Sequence, residues 1–306
     1  MKDDVLLTGA SGFLGNQIIK TLSNKYNFFT IGRQTEELVG RHLRFNISEG
    51  VTNKLPKVRY VIHCAGKAHS VPRSVKESKV FFEVNLQGTI NFCQSLIESN
   101  TTPDALIFIS TVAVYGKDAG VMITEDDALD AISPYAKSKA MAETYLQNWA
   151  NENGVRLGIL RLPLIAGPNP PGNLGAMIRG IRSGRYLSIG KADARKSIVW
   201  ASDVAEIIPN VAKIGGIYNL TDGEHPSFKE LEHAIATILG KNDPLSVPLP
   251  IAKVLGYAGD LIGSKFPVNS DKLKKIISTL TFNDAKARAM LNWNPCGVID
   301  KIHLIV

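Results

Sequence analysis

Cysteine is scarce in this chain: Cys64, Cys93 and Cys296 are all it has in 306 residues. Three is an odd number and none stands at metal-ligand spacing, so neither a disulfide framework nor a metal site is expected. Each thiol reads as a small buried hydrophobe in a reducing cytoplasm. Long apolar runs are missing too. None approaches the roughly 20 residues that cross a bilayer, and no basic-then-apolar leader opens the chain. A cytoplasmic protein without a transmembrane segment is the expectation. Internal repeats and low-complexity tracts are absent, which excludes solenoid and low-complexity architectures. Aromatic residues make up only 7%, and none is interleaved with a basic patch. Nucleic acid is therefore not an expected partner, even at a net charge of +7.

What is present is an ordinary globular composition, 44% hydrophobic and 21% charged, with enough length for a large core or two domains. Strand and helix patterns alternate up to about residue 165. Strands are expected near Val5–Leu7, Phe28–Ile31, Tyr60–His63, Leu106–Ser110 and Leu157–Leu162. Such alternation predicts a doubly wound parallel sheet with helices on both faces. The texture changes at Ile165-Ala166-Gly167-Pro168-Asn169-Pro170-Pro171-Gly172-Asn173, a Gly- and Pro-rich loop that marks a domain boundary. Beyond it, helices are expected over Met177–Ser183, Val204–Val211, Phe228–Leu239 and Ile251–Ile262, with strands at Ile198–Trp200 and Ile217–Leu220.

Two local patterns carry chemistry. The first is Thr8-Gly9-Ala10-Ser11-Gly12-Phe13-Leu14-Gly15, set between a strand and the helical pattern Ile18, Ile19, Leu22. Glycines at 9, 12 and 15 let the backbone turn tightly and approach a pyrophosphate, which the first helical amides then face. A plain strand-to-helix turn satisfies the same triplet. The second is Tyr135 and Lys139 in Pro134-Tyr135-Ala136-Lys137-Ser138-Lys139. On a helix this spacing stacks the two side chains on one face, where a cation lowers a phenol's pKa and readies it for proton transfer. A solvated helix face satisfies that spacing too.

Further runs fall around these two: Val61-Ile62-His63-Cys64-Ala65-Gly66, Val84-Asn85-Leu86-Gln87-Gly88-Thr89, Ile109-Ser110-Thr111-Val112-Ala113-Val114-Tyr115-Gly116, Thr124-Glu125-Asp126-Asp127 and Leu160-Arg161-Leu162-Pro163. Taken in order, they resemble the extended short-chain dehydrogenase/reductase superfamily, and within it the NAD-dependent epimerase/dehydratase family with its nucleotide-sugar 4-epimerases and 4-ketoreductases. The resemblance covers nearly the whole chain. It implies a Rossmann domain over residues 1–166, which also receives segments from about 195–220, interleaved with a smaller α/β nucleotide-sugar-binding domain over 167–306. It implies Thr111, Tyr135 and Lys139 as catalytic residues. Cofactor contacts are implied at Gly9, Gly12, Phe13, Leu14, Gly15, Arg33, Asn46, Ile47, Cys64, Ala65, Gly66, Asn85, Ser110, Leu162 and Pro163, with Tyr135 and Lys139 also touching the cofactor. Substrate contacts are implied at Lys67, His69, Thr111, Val112, Asn173, Leu174, Arg195 and Lys196. It implies a homodimer formed through two long helices, one of them carrying Tyr135.

The cofactor reading turns on the end of the second strand. NAD enzymes place Asp or Glu about 20 residues past the glycines, on the ribose 2′-OH. Here Arg33 stands in that place, and a guanidinium suits a 2′-phosphate. NADP is expected, with NAD possible if Arg33 only stacks on adenine. Val112-Ala113 directly after Thr111 cannot do general acid–base work, which argues against a 4,6-dehydratase, a relative that the resemblance equips with Asp-Glu there. A 4-ketoreductase of a UDP-4-keto-6-deoxy-N-acetylhexosamine is the leading expectation and an NAD-dependent 4-epimerase the alternative. A non-catalytic NADP-sensing regulator is the remote one. A UDP-sugar and NADP, both anionic, account for the net charge. The helix at 249–262 is expected to pack over the substrate pocket, with a place on a membrane surface as the alternative.

Overall fold

Val5 and Leu7 point to one side of the first strand and Leu6 to the other, and all three are sealed from water. A strand that is apolar on both faces belongs in the middle of a parallel sheet. The computed structural model describes residues 2–33, 41–68, 72–262 and 269–305. From the amino end run β1 (Asp3–Thr8), α1 (Phe13–Leu22), β2 (Tyr26–Gly32), β3 (Arg41–Arg44), β4 (Tyr60–His63), α2 (Val75–Phe82) and α3 (Gly88–Glu98). Next come β5 (Ala105–Thr111), β6 (Gly120–Ile123), α4 (Pro134–Asn153), β7 (Arg156–Leu162), β8 (Leu164–Ala166), α5 (Gly172–Arg182) and β9 (Ser188–Ile189). Then follow β10 (Ile198–Trp200), α6 (Ala201–Ile214), β11 (Gly216–Asn219), α7 (Phe228–Ile238) and β12 (Ser246–Val247). The last are α8 (Leu249–Ile262), α9 (Ser270–Ile277), β13 (Leu280–Phe282) and α10 (Ala285–Leu291).

Seven strands form one parallel sheet in the order β11-β7-β5-β4-β1-β2-β3. The strand order reverses beside β1, so a crevice opens at the carboxyl ends of β1 and β4. Ile18 and Leu22 of α1, with Val204 and Val211 of α6, cover one face. Phe92 and Leu96 of α3, with Leu146 and Trp149 of α4, cover the other. Burying each such side chain is worth about 1.5–3 kcal/mol. Leu291 and Trp293, far along the chain, close the first face, and the Trp293 indole donates to the Thr221 carbonyl at 3.0 Å. A separate cluster of Leu174, Met177, Ile181, Trp200, Leu231, Ile235 and Ile302 forms the second lobe. Three short parallel pairs, β10–β8, β12–β9 and β13–β6, flank the main sheet.

The expected strands all appear, with each end within two residues of its expected place. β3, β6, β8, β9, β12 and β13 were not expected, because their two to four residues form no apolar run that stands out from its surroundings. α4 is long because its ends are well made. The Ser133 hydroxyl accepts the Ala136 amide at 3.1 Å, Pro134 occupies the first turn, and Gly154 closes the helix at φ +64°.

The turn after β1 depends on glycine. Gly9 sits at φ +72°, and a Cβ on Gly15 would lie 2.2 Å from the Gly9 carbonyl oxygen. Gly15→Val is expected to lower unfolding stability by at least about 2 kcal/mol in urea titration. Gly50→Ala, where a Cβ meets nothing within 4 Å, should leave the midpoint unchanged. Matching midpoints would show that the turn admits a side chain.

Candidate active site

The crevice begins with that turn. The Gly12 amide donates to Gly9 O at 3.0 Å and Asn16 N to Gly12 O at 2.9 Å. The N-cap residue Gly12 has no side chain to cap α1, so the helix start can face an anion, although the Gly15 amide also meets the Cys64 thiol. Opposite, the β4 end is held by Thr8, whose hydroxyl accepts the Ala65 amide at 3.0 Å and donates to His63 Nδ1 at 2.7 Å. His63 Nε2 then donates to Thr89 Oγ1 at 2.9 Å, because that oxygen gives its own proton to the Asn85 carbonyl. The ring stacks between Phe92 and Phe108. Burial, assisted by Lys139, pushes its pKa down to about 3, so His63 is a neutral strut.

Asn85 lies in a π-helical turn, Glu83–Gln87, and is 1% exposed. Its carbonyl accepts the Lys67 amide at 2.7 Å, and its amide donates to Lys67 O at 3.1 Å and Ser138 Oγ at 2.9 Å. Ser138 donates to the Tyr135 carbonyl at 2.8 Å. One side chain thus ties the Gly66–Lys67 turn to the helix bearing Tyr135 and Lys139.

Thr111 ends β5 and caps the following turn, its Oγ1 accepting the Ala113 amide at 3.2 Å. Leu162 lies beside it in the register, and Pro163 follows. Burial raises the Tyr135 phenol pKa, while the neighbouring Thr111 hydroxyl pulls it down. Lys139 is 4% exposed; its ammonium donates to the Ile109 carbonyl at 2.6 Å and sits 3.7 Å above the Phe108 ring. Burial lowers its pKa to about 8, opposed by Cys64 and Glu143. The expected depression of the phenol by Lys139 is not found. The ammonium is spent on a carbonyl and a ring face, and desolvation dominates the phenol. Cys64 lies among these groups, with burial pushing its thiol up to about 11.

Ser110, expected beside the cofactor, has its side chain committed to a protein partner. It is buried, and its hydroxyl donates to Glu143. Glu143, fully enclosed on α4, receives Arg161 Nη2 at 2.8 Å and Nε at 3.2 Å. Arg161 Nη1 reaches the Tyr115 hydroxyl at 3.0 Å, and that hydroxyl donates to Asn219 Oδ1 at 2.8 Å. Sequence reasoning missed Glu143 and the use of Arg161. Two signals were available: Glu143 continues the four-residue spacing from Tyr135 and Lys139, and an arginine inside the apolar run Ile159-Leu160-Arg161-Leu162 requires a buried partner.

The remaining expected contacts are scattered. Arg33 is exposed at the end of β2, and Gly32 pairs with Arg44, which puts a second exposed arginine on the adjoining strand end. The Asn46 amide donates to Glu49 at 2.6 Å and its carbonyl accepts the Ser48 amide at 3.2 Å. Ile47 is core. Lys67 Nζ lies 5.5 Å over the Phe81 ring, and that ring meets Tyr135 edge-on. Asn173 is exposed at the start of α5, whereas Leu174 is buried in the cluster with Met177, Ile181 and Trp200. Arg195 is also redirected: its guanidinium bonds Glu230 and the His225 carbonyl. Lys196 donates to Ser278 O at 2.7 Å, and burial lowers its pKa to about 8. His69 lies outside the described residues.

A profile of the NAD dependent epimerase/dehydratase family matches residues 5–220, from β1 through the end of β11. The chain belongs to that family. Among curated relatives, a 4-epimerase of N-acetyl-α-D-glucosaminyl-diphospho-ditrans,octacis-undecaprenol from Escherichia coli O157:H7 is 27% identical, covering 94% of this chain and 90% of its own. Two solved structures share the fold. One is UDP-glucose 4-epimerase with UDP-glucose from Thermotoga maritima (TM-score 0.78, 21% identity, 98% of this chain and 96% of that one). The other is RMD from Pseudomonas aeruginosa complexed with NADPH (TM-score 0.76, 20% identity, 99% and 97%). As an epimerase/dehydratase family enzyme the chain depends on a nicotinamide dinucleotide, and the uncapped α1 terminus beside the glycine turn fits its pyrophosphate.

The buried ion pair gives this enzyme's site a measurable signature. Arg161→Leu alone is expected to cost about 3–5 kcal/mol, because it strands a buried carboxylate. A double-mutant cycle with Glu143→Leu should show coupling of about 1–3 kcal/mol in urea denaturation. Additive single effects would mean that the two residues do not act as a pair.

Proposed function

We propose that this enzyme reduces the C4 ketone of a UDP-4-keto-6-deoxy-N-acetylhexosamine, using NADPH. The observation that carries this reading is the convergence of Thr111, Tyr135 and Lys139 at the carboxyl end of β5, beside the crevice. Tyr135 donates its phenolic proton to the C4 oxygen, and Thr111 hydrogen-bonds the same oxygen and fixes its place. Burial keeps that phenol protonated, the form in which reduction starts. Lys139 supplies the positive field that meets the phenolate left behind. When bound, the nicotinamide supplies the hydride at C4. Val112 and Ala113 are apolar, and the Ala113 amide is spent on Thr111, which leaves no acid–base pair for eliminating water. We assign the sugar nucleotide's diphosphate to Lys196, with Asn173 and Lys67 toward the same ligand. Arg195 must release Glu230 before it can join them.

Arg33 and Arg44, side by side at the strand ends, favour a 2′-phosphate and hence NADPH. The E. coli and T. maritima proteins favour a second reading, a 4-epimerase that returns its coenzyme unchanged.

Purified protein should oxidise NADPH with the UDP-4-keto sugar, and Tyr135→Phe should slow this at least about 100-fold. Interconversion of UDP-GlcNAc and UDP-GalNAc without NADPH consumption would replace the reductase by the epimerase. Arg33→Ala should raise KM for NADPH about tenfold, the loss of one charge-assisted contact, and leave KM for NADH unchanged. Equal effects on both coenzymes would remove the 2′-phosphate assignment.

A further inference from the structure

Over residues 249–260 the apolar side chains of α8 are arranged opposite to those of an ordinary surface helix. Ala252, Gly256 and Gly259 are the buried residues of that stretch, while Ile251 is 53% exposed, Val254 67%, Leu255 44% and Tyr257 66%. Amphipathic helices of globular proteins put the large apolar side chains inward. Here small residues let α8 press closely on α9: a Cβ on Gly256 would be 3.5 Å from Leu273 and Ser270. The four outward residues span an arc of about 160° at 3.6 residues per turn, with Lys253 at its border.

The neighbouring strand pair continues this ledge. Ser246 pairs with Ser188, which sets Leu245, 78% exposed, beside Leu187, 54% exposed. Residues 182–191 and 244–259 contain Arg182, Arg185, Lys191 and Lys253, all exposed, and no carboxylate. Asp243 and Asp260, which flank the second segment, are turned to His233 and to the Ser270 amide.

We propose that this ledge docks on an anionic lipid bilayer. Large apolar side chains outward, a tyrosine at one border and cations without acids are the composition of a helix that lies in a membrane interface. Among the described residues no helix is long and apolar enough to cross a membrane, so the contact is with one leaflet. A second copy of the chain is the poorer occupant, because a two-fold contact pairs the ledge with itself, and segments that carry cations and no carboxylate offer themselves no opposite charge. The inference goes beyond the C4 reading and does not rest on it, since its test measures binding alone.

The test is co-sedimentation of the full chain with phosphatidylglycerol-containing vesicles and with phosphatidylcholine vesicles. At least tenfold stronger binding to the anionic vesicles is expected, weakening as salt rises. Val254→Ser with Leu255→Ser, and separately Arg185→Glu with Lys253→Glu, should each reduce that binding at least tenfold without moving the thermal midpoint. Absence of binding, equal binding to both vesicles, or variants that bind like the parent would overturn the proposal. So would a dimer in solution that the Val254→Ser, Leu255→Ser variant abolishes, since the ledge's occupant would then be a second copy.

Discussion

Glu143 and Arg161 meet where α4 crosses the carboxyl ends of β5 and β7, and at 0% and 4% side-chain exposure neither has water as a substitute partner. A lone carboxylate or guanidinium in that position would cost several kcal/mol. The pair therefore holds its geometry, and everything attached to it is held as well. Ser110 hangs from Glu143, which sets the strand end that presents Thr111. Glu143 rides on the helix that presents Tyr135 and Lys139. Through Tyr115 and Asn219 the same guanidinium reaches β11, the outermost strand of the sheet.

The site is kept dry, and dryness sets its charges. His63 is neutral between two phenylalanines, Cys64 is held as a thiol, and Tyr135 retains its proton. Lys139 is the buried cation at the reacting end, and its charge is shared with the Ile109 carbonyl and the Phe108 ring. Electrostatic effects are strong in such a place because little solvent screens them. On the proposed reading, a sugar oxygen entering beside Thr111 and Tyr135 meets groups that need not reorganise around it.

Much of the sheet could be read along the chain because each central strand is a short apolar run between turn residues. β4 was located to the residue, and β1, β2, β5 and β7 within two. The glycine turn and the Tyr135–Lys139 spacing were equally plain, since both are local patterns on neighbouring turns of backbone. Strands β3, β6, β8, β9, β12 and β13 were invisible, because pairing with a distant partner makes them strands and no apolar run of their own does. The protein partners of Arg195 and Leu174 were hidden for a related reason. A motif position says which residue is offered to a ligand, and only packing says whether Glu230 or a hydrophobic core has already taken it.

The sequence by itself determined the doubly wound parallel architecture, the glycine turn after β1 and the spacing that stacks Tyr135 and Lys139 on one helix. Each follows from periodicity or spacing within a few residues. Tertiary structure alone decided that Lys139 faces a carbonyl, that Glu143 and Arg161 tie the site, and that α8 turns its large side chains outward. These are matters of which distant surfaces meet and which are left to water. Charge balance and desolvation act through space, so their outcome is set by the folded neighbours rather than by the order of residues.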